Sequence, residues 1–533
     1  MKDFDTGMHY PIKLDALPES WSFAYFGDVC SSIQSGFACG QHGSDDGIAH
    51  LRPMNICRAG TLDLSDLRKV PAVFNSKRLD YGDVLFNNTN SPELIGKTAH
   101  VGHNFTGLAF SNHMTQVKLY EGVDSRFAAA QLHYLWSARY FLHRCVKHVN
   151  QASISTRDLA TSVPFVIPPP SEQQRIVTKL DELFSELDQG VENLRTAQQQ
   201  LKVYRQALLK HAFEGKLTAE WRAQNPDKLE STEALLARIQ QEREARYRQQ
   251  LAEWQEAQQA WEANSKTGSK PAKPKAPKAL PALTAEDLAE LSDLPTGWRW
   301  AQLGMLIDEP CYGTSKKCSY ESGDVGVLRI PNISAGRIDA RDLKFADFDD
   351  GEITAYGLKH GDLLTIRSNG SISIVGQCAL ITEKEEEFLY AGYLIRLRPN
   401  PELADPSFLL ETLRSHTLRK QIEKKAKSTS GVNNINSGEI QSLVVPLCSV
   451  EEQEIIKVML SEKLSNLDQL ENTITTSLQQ AEALRQSILK KAFSGQLVPQ
   501  HPDDEPASVL LERIRAERTA QPKARGRKTK AVA

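Results

Sequence analysis

Two stretches of this chain carry apolar residues at a helical period among otherwise polar ones. In residues 171–213, Ile176, Leu180, Leu183, Leu187, Gly190, Leu194, Ala197, Leu201, Tyr204 and Leu208 recur at steps of four and three, with mostly Glu, Gln, Lys, Arg and Asp between them. That is a heptad seam, which predicts a long helix with one stripe for a partner helix. The ladder returns towards the C-terminus as Ile456, Leu460, Lys463, Leu467, Leu470, Ile474, Ser477, Ala481, Leu484 and Ile488, every position moved by the same step. One such ladder would equally fit an amphipathic helix lying on a globular core. Recurrence in register makes each helix the other's natural partner. Their ends match as well, Arg205 to Leu217 against Arg485 to Leu497, with Gly215 and Gly495 placed after a last turn that carries Lys or His, a helix stop.

The segments before the two helices carry short apolar runs bounded by Gly, Pro, Asn and Asp, which predict mixed α/β domains. They too correspond. Leu17-Pro18, Trp21 and Gly27 reappear at matching spacing as Leu294-Pro295, Trp298 and Gly304. His50 to Ile56 meets Val327 to Ile333, and Gly82-Asp83-Val84-Leu85 with Thr89-Asn90 and Gly96 meets Gly361-Asp362-Leu363-Leu364 with Ser368-Asn369 and Gly376. The chain is an internal duplication: a polar, loosely held extension (1–16), a first domain (17–170), a helix (171–217), an insert (218–293), a second domain (294–449), a helix (450–498), and a short helix with a basic tail (499–533). Residues 35–48 and 312–325 share little beyond Gly36 and Gly313, which suggests one scaffold carrying two different readers.

The insert starts as a charge-laced helix, from Glu233 to Ile239 and on through Trp254 and Trp261. Lys266, Lys270, Lys273, Lys275 and Lys278 then follow among Pro and Ala, which reads as an extended, solvated spacer, as does the tail from Lys523 to Lys530. Ala234 to Ile239 is echoed by Val509 to Ile514 after the second helix. Each short helix would either cap its coil or dock a partner.

Composition narrows the function classes. Sixty-four Lys plus Arg against 67 Asp plus Glu leaves a net charge of −3, so any nucleic-acid surface must be a local patch. The eight cysteines form no C-x-x-C pair and are expected as reduced thiols in a cytoplasmic protein. No long uncharged apolar stretch suggests export or membrane insertion.

Catalytic patterns are weak. Ser91-Pro92-Glu93-Leu94-Ile95-Gly96-Lys97-Thr98 ends like a phosphate-binding loop but begins with Ser where the nest needs Gly, and it contains Pro92. Asp405 with Glu423-Lys424-Lys425 imitates a nuclease carboxylate–lysine set at a spacing common on charged helices. His100, His103 and His113 lack a helical ligand pair. No catalytic residue and no metal or cofactor site are expected in this chain.

Each domain instead ends in a basic segment. Arg139, Arg144 and Lys147 are matched in order and spacing by Arg419, Lys424 and Lys427, at the same offset as the helices. All six are expected at phosphates, where cations supply affinity without sequence information. Base reading needs Arg, Asn or Gln beside strand ends. Arg52, Asn55, Asn88 and Asn90 qualify in the first domain, and Arg329, Asn332, Arg367 and Asn369 in the second. Any of them could equally be a turn or capping residue.

On these features the chain resembles the specificity subunits of type I restriction-modification systems. The resemblance rests on Ile167-Pro168-Pro169-Pro170 before Glu172-Gln173-Gln174-Arg175-Ile176-Val177, on Val445-Pro446-Leu447 before Glu451-Glu452-Gln453, and on the Ala-Phe-x-Gly-x-Leu exits at 212–217 and 492–497. It covers residues 17–217 and 294–500. It implies an α+β fold in which two homologous mixed α/β target-recognition domains are separated by two long antiparallel coiled-coil helices with internal pseudo-twofold symmetry. Each domain would bind one half of a split site on double-stranded DNA. The chain itself would be non-catalytic. Two methyltransferase subunits and restriction subunits would join it, and S-adenosylmethionine, ATP and Mg would belong to those partners. Since a helix over 171–213 spans ~65 Å at ~1.5 Å per residue, the two half-sites should flank an unread gap. The rival reading is a coiled-coil scaffold with two protein-binding domains.

Overall fold

A computed structural model describes the chain except for residues 1–8, 41–46, 72–76, 150, 264–269, 272, 275, 277–279, 335, 430 and 521–533. The basic tail from Lys523 to Lys530, and Lys266, Lys275 and Lys278 of the insert, lie outside the described residues. Residues 1–196 with 474–533 form one compact unit, and residues 197–473 form a second.

In the first unit, a four-stranded antiparallel sheet runs in the order Cys30–Ser35, Met114–Leu119, Val84–Asn87, Thr98–His100. Side chains alternate across it as strand geometry requires. Val84 and Phe86 enter the main core, while Leu85 faces a smaller core with Leu51, Ile56, Phe110 and Met114. Ser22–Tyr25 pairs with Pro164–Ile167, the strand that leads directly into the first long helix, Pro170–Phe213. A three-stranded sheet (Arg68–Val70, Ile48–Leu51, Ala109–Phe110) contains the domain's parallel pairing, and helix Ser125–Ser137 packs behind. The N-terminal segment is not loose where it is described: Ile12 is buried and the Tyr10 hydroxyl donates to the Pro164 carbonyl at 3.2 Å.

The second unit repeats these sheets and adds a two-stranded one, Ile333–Ser334 with Arg337–Ile338, where the first has a single bridge between Ile56 and Leu62. Its four strands run Cys311–Tyr312, Leu394–Leu397, Leu363–Ile366, Cys378–Leu380, with Leu363 facing one core and Leu364 the other. Arg299–Gln302 pairs with Val444–Leu447 ahead of the second long helix, Val450–Phe493.

Within each unit the start of one long helix lies antiparallel to the end of the other. In the first, Arg175 pairs with Asp504 at 2.6 Å and Asp188 with Arg485; in the second, Arg222 pairs with Glu452 at 2.5 Å and Arg205 with Asp468. Asp188 with Arg485 and Asp468 with Arg205 stand at equivalent positions of the repeat, each helix supplying one Arg and one Asp.

The seam differs from the heptad reading at several positions. Tyr204, Leu470 and Leu484 are exposed, Gly190 is exposed, and Lys463 is only half-buried, whereas Arg205, Leu464 and Arg485 face inward. A straight helix turns through 3.6 residues rather than 3.5, so a contact stripe drifts by one position over a few heptads.

The helix joints are polar and buried. Glu172 accepts from Trp21 Nε1 at 3.0 Å and from Gln500, and burial raises its pKa. The next residue, Gln173, accepts from the Asp124 amide at 2.8 Å and donates to the Pro168 carbonyl at 3.0 Å. In the second unit Glu452 accepts from Thr218 Oγ1 at 2.6 Å and from Arg222, while Gln453 accepts from the Asp405 amide at 2.9 Å and donates to the Leu403 and Cys448 carbonyls. The Glu-Gln pair at each helix start is therefore the clamp between domain and coil.

Both echo helices are core elements. Leu510, Leu511 and Ile514 of Ala507–Ala520 are buried in the first unit, and Leu235 and Ile239 of Thr232–Ala263 in the second. Beyond Ile239 the insert helix is tied to the second domain by Arg246 with Asp308. The segment after it is not an extended spacer where it is described: Pro271 accepts from Trp254 Nε1 at 3.0 Å and Lys273 Nζ sits 5.6 Å from the Trp254 ring, so the Lys/Pro segment returns along the helix.

Candidate nucleic-acid interface

At one end of each four-stranded sheet, a central strand continues into a small three-stranded sheet. In the first domain, Val84–Asn87 passes through Asn88 into Thr89–Asn90, which pairs with Ala152–Ser153 and through it with Val146–Lys147. Asn90, Ala152 and Lys147 lie in one cross-strand row. Asn90 is half-buried and Lys147 exposed, so an amide and an ammonium group share one face. In the second domain, Leu363–Ile366 passes through Arg367 into Ser368–Asn369, which pairs with Val432–Asn434 and then Lys427–Thr429. Here the row holds Asn369, Asn433 and Ser428.

These registers correct the alignment of the basic positions. Ser153 and Asn434 are equivalent, as are Val146 and Lys427, so the offset here is one position longer than in the helices. Gly96 and Gly376, both at positive φ, tell the same story, since a Cβ there would strike Phe141 and Ile422 respectively. Lys147 is thus matched by Ser428. Because neighbouring strand residues point to opposite faces, Lys147 and Lys427 occupy opposite faces of equivalent strands.

Other expected phosphate contacts divide by what already holds them. Arg139 is exposed, in the left-handed region at φ 63°, and Arg144 lies 5.1 Å from the Tyr140 ring. Lys424 and Lys427 are exposed, with loose ion pairs to Glu290 at 3.5 Å and Glu439 at 3.8 Å. Arg419 is not available in this way: it donates to the Ile372 and Val375 carbonyls and pairs with Glu423 at 2.9 Å, bracing the 371–375 loop.

Among the expected readers, Asn55 and Asn332 are buried and occupied. Each side-chain oxygen accepts from the backbone amide three residues earlier at 2.8 Å, and each amide nitrogen donates to two carbonyls, Asp63 and Asp66 or Asp339 and Asp342. Arg52 and Arg329 pair with Asp66 at 3.0 Å and Asp342 at 3.2 Å. These four residues build one repeated turn in each domain, apart from the small sheets. Asn88 is buried too, donating to Thr115 Oγ1 at 2.8 Å and accepting from Thr89. Arg367, its counterpart, instead lies 4.7 Å above the Tyr312 ring. Asn90 and Asn369 use their oxygens to accept the Ser91 and Ser371 amides.

Exposed Tyr393, whose carbonyl accepts from the Arg367 amide at 3.0 Å, and exposed Tyr320, with Arg329 at 5.5 Å and Lys344 at 4.8 Å from its ring, extend the surface of the second domain. The sequence reading missed both. Aromatic residues in Gly- and Ser-rich segments beside basic ones were the available signal.

The weak catalytic patterns have structural roles. Lys97 is buried, donates to the Ile56 carbonyl, and has its pKa lowered by burial. Asp405 caps helix Pro406–Arg414 by accepting from the Ser407 and Phe408 amides, as Asp124 does for its own helix. His103 stacks on Tyr81 at 3.9 Å, with the His100 ring 5.8 Å away. Among the described residues no group of three or more His, Cys, Asp or Glu is placed to hold a metal ion. No described helix is long and apolar enough to cross a membrane.

No family model matches the chain. Curated relatives do, from end to end. The specificity subunit of the type I restriction enzyme EcoKI of Escherichia coli K12 is 27% identical over 523 residues, 95% of this chain and 97% of that one. The corresponding subunit of the StySPI enzyme of Salmonella potsdam is 24% identical over 534 aligned positions, 94% and 96% of the two chains. A solved structure described as the basis of complex assembly and conformational transition of the type I R-M system matches 90% of this chain and 99% of its own, at TM-score 0.59 and 18% identity. Two domains of one plan, two antiparallel helices and relatives matched over nearly their whole length agree: from end to end the chain is similar to the specificity subunits of type I restriction enzymes.

Proposed function

We propose that this chain supplies the DNA sequence specificity of a type I restriction-modification complex, with each domain reading one half of a bipartite site on double-stranded DNA. One observation carries the reading. The two domains share the order of their main sheets, the Asp helix caps and the Glu-Gln helix joints, yet differ at the sheet end where polar side chains are presented, with Asn88 in one and Arg367 in the other. A scaffold duplicated for stability alone has no need to vary there. Asn90 with Lys147, and Asn369 with Asn433, are the groups best placed for DNA, and Arg139, Arg144 and Lys424 extend the cationic surface. Asn88 and Arg419 brace that surface from behind, while Arg52, Asn55, Arg329 and Asn332 hold the repeated turn.

The chemistry belongs to partners: two methyltransferase subunits, which use S-adenosylmethionine, and restriction subunits, which use ATP and Mg. The test is to sequence methylated adenines in cells expressing this chain with its partner subunits. A split motif with an unread gap is expected. A continuous motif, or DNA binding that is neither salt-dependent nor sequence-selective, would favour the protein-binding scaffold.

A further inference from the structure

The half-buried arginines of the second domain have a common fate, with one exception. Arg329 pairs with Asp342, Arg398 with Asp362 at 2.6 Å and Arg414 with Glu411 at 2.6 Å. Arg396 donates to the Gly357 carbonyl, and Arg419 to the carbonyls of its loop. Arg367 has no such partner among the described residues: its Nε, like that of Arg329, is buried without a hydrogen bond, while its two terminal nitrogens are neither bonded nor among the buried unpaired atoms. A buried guanidinium N–H left unsatisfied costs free energy, and native structures seldom keep one without a use.

Its surroundings restrain it. The guanidinium carbon lies 4.7 Å from the centre of the Tyr312 ring, and Tyr312 is itself fixed because its hydroxyl accepts from the Ser437 amide at 3.0 Å. On either side the backbone is tied, the Arg367 amide to the Tyr393 carbonyl and the Arg367 carbonyl to the Ile435 amide. Stacking on a ring face leaves the in-plane N–H groups directed past the ring edge as a two-pronged donor. Asn369 stands two residues on and Tyr393 is exposed beside it.

A fixed, planar double donor matches two acceptors side by side. In the DNA major groove guanine presents such a pair in N7 and O6, and no other base does. Phosphate also accepts from two donors, but the phosphate contacts of this surface are served by exposed lysines on flexible stems, which need no aromatic support. We propose that Arg367 reads a guanine in the half-site of the second domain, and that Tyr312 is its positioning residue. The inference rests on the chain being a DNA-reading subunit and goes further in naming the base and the residue that orients its reader.

The test compares methylated-adenine motifs for the complete complex carrying wild-type chain, Arg367→Ala, Tyr312→Ala or Tyr312→Phe. Arg367→Ala should make one G·C position of one half-site degenerate, with discrimination falling about tenfold or more, while the other half-site stays unchanged and serves as the folding control. Tyr312→Ala should relax the same position. Tyr312→Phe keeps the ring face and should restore discrimination, which a purely structural tyrosine would not tie to a single base pair. If Arg367→Ala lowers methylation at all sites without changing the motif, Arg367 is a phosphate contact and the inference fails while the DNA-reading function stands. If Tyr312→Ala leaves that position strict, the positioning role fails. If the wild-type complex yields no split motif, the broader reading fails, and this one with it.

Discussion

The two domains are the same structure solved twice with different side chains, and the positions where they differ separate what holds the fold from what the fold presents. Both clamp their helix through a Glu-Gln pair, but Glu172 meets the neutral donors Trp21 and Gln500, whereas Glu452 meets the Arg222 guanidinium. Both cap the helix behind the sheet with an Asp and lay a side chain from that helix over a glycine at positive φ. In the first domain His133 lies over Gly60, and in the second Arg414 lies over Gly336. Geometry is kept while charge is exchanged, so the domains should fail under different conditions.

The largest expected difference is at the helix joints. Glu452→Ala would leave Arg222, 11% exposed, without its counter-charge, a change that costs about 3–5 kcal/mol when a buried pair is broken from one side. Glu172→Ala strands only neutral donors, at about 1–3 kcal/mol. Hydrogen exchange should report faster opening of Leu363–Ile366 in the first variant than of Val84–Asn87 in the second. Equal losses would mean that the charge at the second joint contributes nothing beyond its hydrogen bonds.

Acid should separate the domains next. His133 is buried, with Nε2 3.0 Å from the Arg58 carbonyl and Nδ1 facing the Thr98 amide, and burial lowers its pKa from 6.5 to about 4. Between those values the unfolded chain binds more protons than the folded one at this site. Stability of the first unit therefore rises with pH across the window and is lost on acidification from about 6.5 towards 4, by up to ~3 kcal/mol. The second unit has Arg414 in the equivalent place, paired with Glu411 at 2.6 Å, and no histidine there. Opening free energies from hydrogen exchange, corrected for the intrinsic exchange rate at each pH, should fall more steeply in the first unit than in the second as pH falls, and His133→Gln should remove the excess. Parallel slopes in both units would overturn the assignment.

The paired domains also show what a sequence can carry. Long periodic segments and the duplication were legible because each rests on many residues at once, and the helix boundaries follow from them: the seam predicted over 171–213 is the helix Pro170–Phe213. Single positions were less so. Tyr204 and Leu484 fit a strict 3.5-residue seam, but the helices are close enough to 3.6 that Arg205 and Arg485 take their places. Lys147 and Lys427 match in sequence at the offset of the helices and differ by one position in the sheet, because the offset changes within the connecting segment. Asn55 and Asn332 have the chemistry of base readers and are used by a turn, since an amide satisfies backbone groups as readily as an adenine edge. Arg367 looked like its neighbours, and only the absence of a carboxylate partner set it apart.

The smallest expected effect tests the pseudo-twofold itself. Arg205 with Asp468 and Arg485 with Asp188 are one pair seen twice, with each Asp largely exposed. Exposed pairs contribute about 0.2–1 kcal/mol, so double-mutant cycles at the two places should return coupling energies within that range and close to each other. The single substitutions should not match. Arg485 also lies 4.3 Å from the centre of the Phe184 ring, and the position equivalent to Phe184 is the aliphatic Leu464. Arg485→Ala should therefore cost more than Asp188→Ala by about 0.5–1 kcal/mol, the worth of a cation on an aromatic face. At the other pair Arg205 also reaches Glu471 at 3.8 Å, a second partner in solvent that adds little. Thermal unfolding at low and high salt would resolve the two contributions, since salt screens the carboxylate attraction more than the ring contact. Coupling at one pair and none at the other would mean that the two ends of the coil have diverged as far as the domains they carry.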